Sequence, residues 1–247
     1  MKIKWFIFNY AHFDHALQLF YGFLEENCDV YLINCASPND PQFDETDRIK
    51  KFPNIYYSGQ WNEALKLLDP DTDVMFITNA DVDIPSISKL IQKTKSFYSN
   101  YGDKAGVYAP NVWWTPWTFN PALLKDLGGG LREVMGTDST IWSLSASLAH
   151  QVGPMDLTIN KLGWGIELVA AYYASMQEKL VVRDYTIKCG HPRNTSYDRH
   201  AADREWRNMI SKMKLDHSFW KFYDTRNKYG FGWVGKDEII TPSKLFL

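Results

Sequence analysis

Asp81 and Asp83 stand one residue apart just after an apolar, β-favouring run, Val74-Met75-Phe76-Ile77. A buried strand that breaks off through Thr78-Asn79-Ala80 delivers such acids to a sheet edge, and open α/β sheets bind ligands at the carboxyl ends of their strands. Two carboxylates placed there would hold a metal ion or a charged ligand. Pro85 keeps the strand from continuing as a central one. Three more features accompany the pair: Gly163-Trp164-Gly165-Ile166-Glu167, His191 after a later apolar run, and a loop with Trp113, Trp114, Trp117 and Phe119 among prolines and threonines. Each has a plain structural reading as well. The acids can cap a helix starting near Ser86, Glu167 can complement its own helix N-terminus, and large rings mostly pack cores.

The elements that must position these residues alternate along the chain. Ile3–Phe8 reads as a first strand, followed by a helix capped by Asp14 and running to about Glu26, with Leu17, Phe20, Tyr21 and Leu24 at helical spacing. Val30–Ile33 predicts a second strand with Asn34 at its end, Asn54–Tyr57 a third, and Trp61–Leu68 a helix with Leu65 and Leu68 inward. Residues 37–47 read as loop. After the Val74–Ile77 strand come a helix over Ser86–Tyr98, a strand over Gly106–Ala109, and the ring-bearing loop Pro110–Pro121. Gly128-Gly129-Gly130 suggests a flexible joint able to let that loop move as a lid. Thr140–Leu144 (strand), Ser145–Gln151 (helix), a helix opened by Gly163 and reaching about Gln177, and a strand over Leu180–Ile187 complete the pattern. Beyond it lie a polar amphipathic helix around Asp203–Met213 and an aromatic, irregular remainder. Strands alternating with helices call for a mostly parallel sheet with right-handed crossovers.

With 247 residues the chain can build one substantial α/β core. A net charge of −2 gives no electrostatic footprint for nucleic acid. Cys28, Cys35 and Cys189 are odd in number and form no Cys-x-x-Cys, which suits reduced thiols. No stretch approaches the roughly 20 apolar residues of a membrane span, and no secretory signal is apparent, so a cytoplasmic location is expected and the acceptor-like Asn194-Thr195-Ser196 has no glycan to receive. The turn after the first strand, Asn9-Tyr10-Ala11-His12, lacks a dinucleotide fingerprint. Asp69-x-Asp71-x-Asp73 fails as a calcium loop because Val74 and Ala80 occupy the positions that need Gly and Glu. His12-x-x-His15 lacks a third zinc ligand, and no Gly-x-Ser-x-Gly elbow occurs.

Taken in order, Trp61-Asn62-Glu63-Ala64, Ile77-Thr78-Asn79-Ala80-Asp81-Val82-Asp83, Val152-Gly153-Pro154-Met155-Asp156, Gly163-Trp164-Gly165-Ile166-Glu167 and His191 resemble glycosyltransferases of the GT-A fold, family 2-like. The resemblance covers roughly residues 1–195. It implies a Rossmann-like three-layer α/β sandwich over that span, with residues 196–247 as a helical or irregular extension packed on the same core. A nucleotide-diphosphate sugar needs a cation to neutralise its leaving diphosphate, and Mg2+ or Mn2+ prefers carboxylate oxygens. By this resemblance Asp83 ligates the metal, Asp81 binds the ribose or assists through water, and His191 completes the metal shell, which favours Mn2+. Glu167 becomes the general base for the acceptor hydroxyl, implying inversion, with retention left open because family 2-like enzymes often carry Glu-Asp or a lone Asp where this chain has Ile166-Glu167.

Tyr10, Asn34 and Asn62 are then candidates for the nucleobase and ribose, and Trp164, Trp113 and Trp114 for the sugars. Lys188, Arg193 and Arg199 are candidate cations for the diphosphate. The expected partners are a nucleotide-diphosphate sugar donor and a saccharide or lipid-linked acceptor. A nucleotidyltransferase of related fold and a non-catalytic sugar-binding module are the alternatives. The first lacks its usual basic glycine-rich loop here, and donor hydrolysis distinguishes the second.

Overall fold

The computed structural model describes residues 1–35, 45–113, 122–192, 197–213, 215 and 217–228. The elements in chain order are β1 (Ile3–Tyr10), α1 (Phe13–Glu25), β2 (Asp29–Cys35), β3 (Ile49–Phe52), α2 (Tyr56–Lys66), β4 (Val74–Asn79), α3 (Ile87–Tyr101), β5 (Ala105–Trp113), β6 (Leu123–Gly128), β7 (Leu131–Val134), β8 (Ile141–Ser145), α4 (Ala146–Val152), α5 (Ile166–Met176), β9 (Leu180–Gly190), α6 (Arg199–Lys212) and α7 (His217–Lys228).

β1 shows why the fold has three layers. Its residues are buried without a break from Ile3 to Asn9, as in a strand covered on both faces. Ile3, Trp5 and Ile7 join the apolar cluster under α1 and α3, while Phe6 and Phe8 join the one under α2, α4, α5, α6 and α7. β4 divides the same way, Val74 and Phe76 to one side and Met75 and Ile77 to the other.

The described strands form one sheet in the order β3-β2-β1-β4-β8-β5-β9-β7-β6. It is mixed rather than mostly parallel. β1 with β2, β1 with β4, β2 with β3 and β5 with β9 run parallel, but every pairing that involves β7 or β8 is antiparallel. β6, β7 and β8 follow one another with no helix between them, and a short connection such as that between β6 and β7 allows only antiparallel pairing.

Several local expectations are corrected. The third strand lies at Ile49–Phe52, and Ile55 instead caps α2, in which Ser58, Gly59, Gln60, Trp61 and Ala64 are buried, while Leu65, and Leu68 just beyond the helix, pack inward on the same core. α1 starts at Phe13 with His12 as its cap; Asp14 lies in the first turn, and the Asn9 side chain accepts the His12 N–H at 3.0 Å. Gly128-Gly129-Gly130 is the turn of the β6–β7 hairpin, not a lid hinge, and glycine suits it because all three residues have positive φ. Part of the expected ring-bearing loop is strand: β5 continues to Trp113, and its register against β9 shifts just after Pro110. Trp114, Trp117 and Phe119 lie outside the described residues. The irregular tail contains a regular helix, α7, whose Phe219 and Phe222 are fully buried against Tyr172 of α5. No helix among the described residues is long and apolar enough to cross a membrane.

Candidate functional site

A cleft of about 680 Å³ opens where β1 and β4 end. Four tightly tied segments build it. At the end of β4, Asn79 donates its backbone N–H to the carbonyl of Thr140 (2.7 Å), and Ala80 to that of Phe8 (2.8 Å). Val82 N–H then turns back onto Asn79 O at 3.3 Å, which leaves Asp81 against the cleft. Asp83 and Gly190 exchange backbone hydrogen bonds at 2.9 Å in both directions, an isolated bridge that fixes the end of β9 beside β4. That bridge delivers His191 to Asp81, with Nε2 3.4 Å from Oδ2.

Burial by itself would raise the Asp81 pKa, but the hydrogen bond and charge of His191 outweigh it and hold the carboxylate below its ordinary value. For the imidazole, burial pulls downward while Asp81, and Asp138 beyond it, push further upward, so His191 lies above its usual range.

The second segment carries Glu167. Asn160 is fully buried; its Oδ1 accepts the Gly163 N–H and its Nδ2 donates to the Trp164 carbonyl, both at 2.9 Å. Glu205 of α6 accepts the Lys161 and Leu162 N–H groups with one oxygen, each at 3.0 Å. Gly163 (φ 80°) and Gly165 (φ 87°) then make the left-handed turns that start α5 at Ile166 and set Glu167 in its first turn. Glu167 lines the cleft, with Oε2 shut off from solvent and unpartnered among the described residues. Burial pushes its pKa up to about 7 despite the opposing Gly165 and Glu167 backbone amides and the Arg226 charge, and Asp138 adds to the rise.

Gly163→Ala is expected to cost about 2–4 kcal/mol, because the backbone is left-handed and a methyl there would stand 2.4 Å from Tyr57 Cδ1. A urea denaturation midpoint compared with wild type checks it.

The third segment, Gly136–Thr140 between β7 and β8, contributes Asp138, and the fourth, α7, contributes Tyr223 and Arg226. Arg226 lies directly on Gly136, where a methyl would meet its Nε at 2.9 Å. Two non-glycine residues with left-handed backbone, Ala11 (φ 67°) and Tyr56 (φ 56°), mark the mouth, where the Tyr10 and Tyr56 rings are exposed.

No family model matches this sequence, and no curated protein does. Among solved structures, GalNAc-T7 with UDP, GalNAc and Mn2+ matches over 99% of this chain with a TM-score of 0.63 at 9% identity. The chain has a GT-A-like glycosyltransferase fold. It spans 54% of the GalNAc-T7 chain, and at that identity the likeness speaks for the fold alone. A197 from STIV matches with a TM-score of 0.44 at 14% identity, over 83% of this chain and 92% of that one.

Within the GT-A-like fold the expected site residues separate. Tyr10, Asp81, Trp164, Glu167 and His191 line one cleft, and Trp164 donates its indole N–H to the Tyr197 hydroxyl at 2.7 Å. Asp83 is exposed beside Gly190, at the rim rather than in the lining. Asn34 and Asn62 are corrected. Asn34 is fully buried inside β2 and accepts from the Asn9 amide, and Asn62 spends both ends of its amide on the Met155 backbone, at 2.7 and 2.8 Å. Neither reaches the cleft.

Lys188 and Arg199 are exposed and outside the lining, Trp113 closes β5 opposite Gly190, and Arg193 and Trp114 fall outside the described residues. As a metal site, the cleft offers the Asp81 carboxylate and the His191 imidazole, a donor pair suited to Mn2+ and open to phosphate oxygens and water. Among the described residues no group of three such side chains is close enough to hold an ion by itself. Asp138, Arg183 and Arg226 were missed. The only signal for the first was a polar run, Gly136-Thr137-Asp138-Ser139-Thr140, between two apolar stretches.

Proposed function

We propose that this protein transfers a sugar from a nucleotide-diphosphate donor to a hydroxyl of a saccharide or lipid-linked acceptor. One juxtaposition supports the reading. An Asp81–His191 pair suited to a divalent ion and a buried carboxyl poised near neutrality face the same cleft of a GT-A-like fold.

Asp81 and His191 would hold Mn2+ or Mg2+, with Asp83 beside them on the rim. The ion, when bound, neutralises charge on the departing diphosphate. Glu167, once deprotonated, accepts the proton of the acceptor hydroxyl as its oxygen attacks the anomeric carbon. Direct attack of this kind inverts the anomeric centre. Tyr10 and Tyr56 at the mouth offer ring faces to the nucleobase, and Trp164 offers one to a sugar. We take residues 1–195 as the catalytic domain and 196–247 as an extension that takes part in the site through Tyr223 and Arg226.

The deciding experiment incubates the protein with Mn2+, nucleotide sugars and saccharide acceptors, and follows nucleoside diphosphate release before and after chelation. Metal-dependent release with a glycosylated product of inverted configuration is the expected result. Release of pyrophosphate would assign the chain to nucleotidyl transfer, and binding without turnover to a sugar-binding module.

A further inference from the structure

The last helix carries a charged side chain where its own pattern calls for an apolar one. In α7, Phe219, Phe222 and Arg226 stand at i, i+3 and i+7, which is one face of a helix. Both rings are fully buried, with centroids 5.3 and 5.8 Å from that of Tyr172 in α5, and the Tyr172 and Ser218 hydroxyls hydrogen-bond at 2.5 Å. That seating fixes where the stripe leads. Arg226 lines the cleft with its Nε closed to solvent, whereas Lys228, in the same last turn, is exposed. A basic residue placed only to complement a helix C-terminus would stay in water, as Lys228 does.

In the cleft Arg226 meets the candidate base. α5 carries both Tyr172 and, about a turn earlier, Glu167, so the helices that hold base and guanidinium are locked to each other. Asp138 completes the group: its Oδ1 accepts the Thr140 N–H at 2.9 Å, and its Oδ2 is shut off from water. Burial and the Asp138 charge both work against the ionised form of Glu167. Its own backbone amide and that of Gly165 favour ionisation, and so does the positive charge of Arg226. Burial likewise works against the guanidinium, and Glu167, Tyr223 and Asp138 support it, Glu167 the most. Tyr57 of α2 and Tyr197 ahead of α6 face the same carboxyl, while Arg183 and His191 feel Asp138.

We propose that Arg226 is a positioning residue: α7 sets its guanidinium against Glu167 and Asp138, so that base function depends on how this helix is docked. The inference rests on the glycosyl-transfer reading and deepens it by giving the C-terminal extension a part in the proton transfer.

The test compares wild type with Arg226→Gln, Arg226→Lys and Gly136→Ala. Nucleoside diphosphate release is followed from pH 5 to 9 with Mn2+ and whichever of UDP-glucose, UDP-galactose and GDP-mannose wild type turns over. Removing the charge should move the rising limb upward by about one pH unit, so that Arg226→Gln is about tenfold slower than wild type at pH 6 and recovers most of the deficit by pH 9. Arg226→Lys, which keeps the charge, should hold the limb near its wild-type position. Gly136→Ala keeps the guanidinium but puts a methyl 2.9 Å from its Nε, so it should move the limb the same way by less, and it covers a folding failure of Arg226→Gln. The charge is also read without turnover. The decline in melting temperature that Glu167 causes between about pH 4.5 and about 7 should reach about one unit higher in Arg226→Gln.

A limb and a melting decline that both stay in place in Arg226→Gln overturn the assignment, as does a limb that moves equally in Arg226→Lys. A loss of UDP or GDP affinity in Arg226→Gln, by calorimetry, that matches the rate loss overturns it too, because it puts Arg226 on the diphosphate. A wild-type profile without a rising limb, or one that Glu167→Gln shares, removes Glu167 as the base and the part of Arg226 with it.

Discussion

Replacing Glu167 with glutamine is expected to slow sugar transfer by roughly 100- to 10,000-fold while leaving donor affinity nearly unchanged, because the amide keeps the shape but cannot take a proton. The pH dependence carries a second signature. With a pKa of about 7 in the folded protein, the wild-type carboxyl is protonated and inactive as a base at pH 5, and its rate should climb to a plateau above pH 7. Glu167→Gln should lack that rising limb. Initial rates between pH 5 and 9 with saturating donor measure both effects.

The same group affects stability with the opposite sign. Its pKa is higher in the folded protein than in the unfolded chain, so its favourable contribution is complete at low pH and is lost as pH rises from about 4.5 to about 7. Wild type should therefore show, from this residue, a decline in melting temperature over that interval that the glutamine variant does not share. A variant that retains the full transfer rate with an unchanged profile would remove Glu167 from the chemistry.

Asp81→Ala carries the other large expectation, a loss of roughly 100- to 1,000-fold in donor cleavage together with a weakened response to Mn2+. The substitution removes the carboxylate that faces the cleft and also the partner that holds the His191 imidazole above its ordinary pKa. Asp83→Ala should do less, since Asp83 is exposed and its structural contribution is the backbone bridge to Gly190, which an alanine still makes. Metal titrations of donor hydrolysis on the two variants side by side give the ranking. A larger loss at Asp83 would return the main ligand role to the rim.

The contrast between these two acids shows what a linear reading can and cannot supply. Apolar runs such as Ile3–Phe8, Val74–Ile77 and Leu180–Ile187 announced buried strands because burial on both faces demands unbroken hydrophobicity; the acids and His191 were located from where such runs stop, and Trp164 and Glu167 from the Gly163–Glu167 stretch that opens a helix. Ile55-Tyr56-Tyr57 looked equally strand-like by propensity, yet the chain turns there through a left-handed Tyr56 to begin a helix.

The β6–β7 hairpin escaped notice because its partly exposed strands have no regular alternation. Asn34 and Asn62 were attractive as polar residues near strand ends, but a side chain's direction depends on partners distant in sequence, Asn9 in one case and Met155 in the other. Asp138 and Arg226 were invisible for a related reason. Each is an ordinary charged residue until tertiary packing sets one against Glu167 and the other against Gly136.

The seating of α7 on α5 also bears on the order in which the centre comes together. Its residues from Phe8 to Arg226 span nearly the whole described chain, and the helix that carries Arg226 is anchored through Phe219 and Phe222 on the same α5 that presents Glu167. A shortened polypeptide stopping near residue 195 would therefore retain its sheet yet leave Tyr172 bare and Gly136 without its guanidinium neighbour. During synthesis, too, the cleft can close only after α7 has emerged and docked.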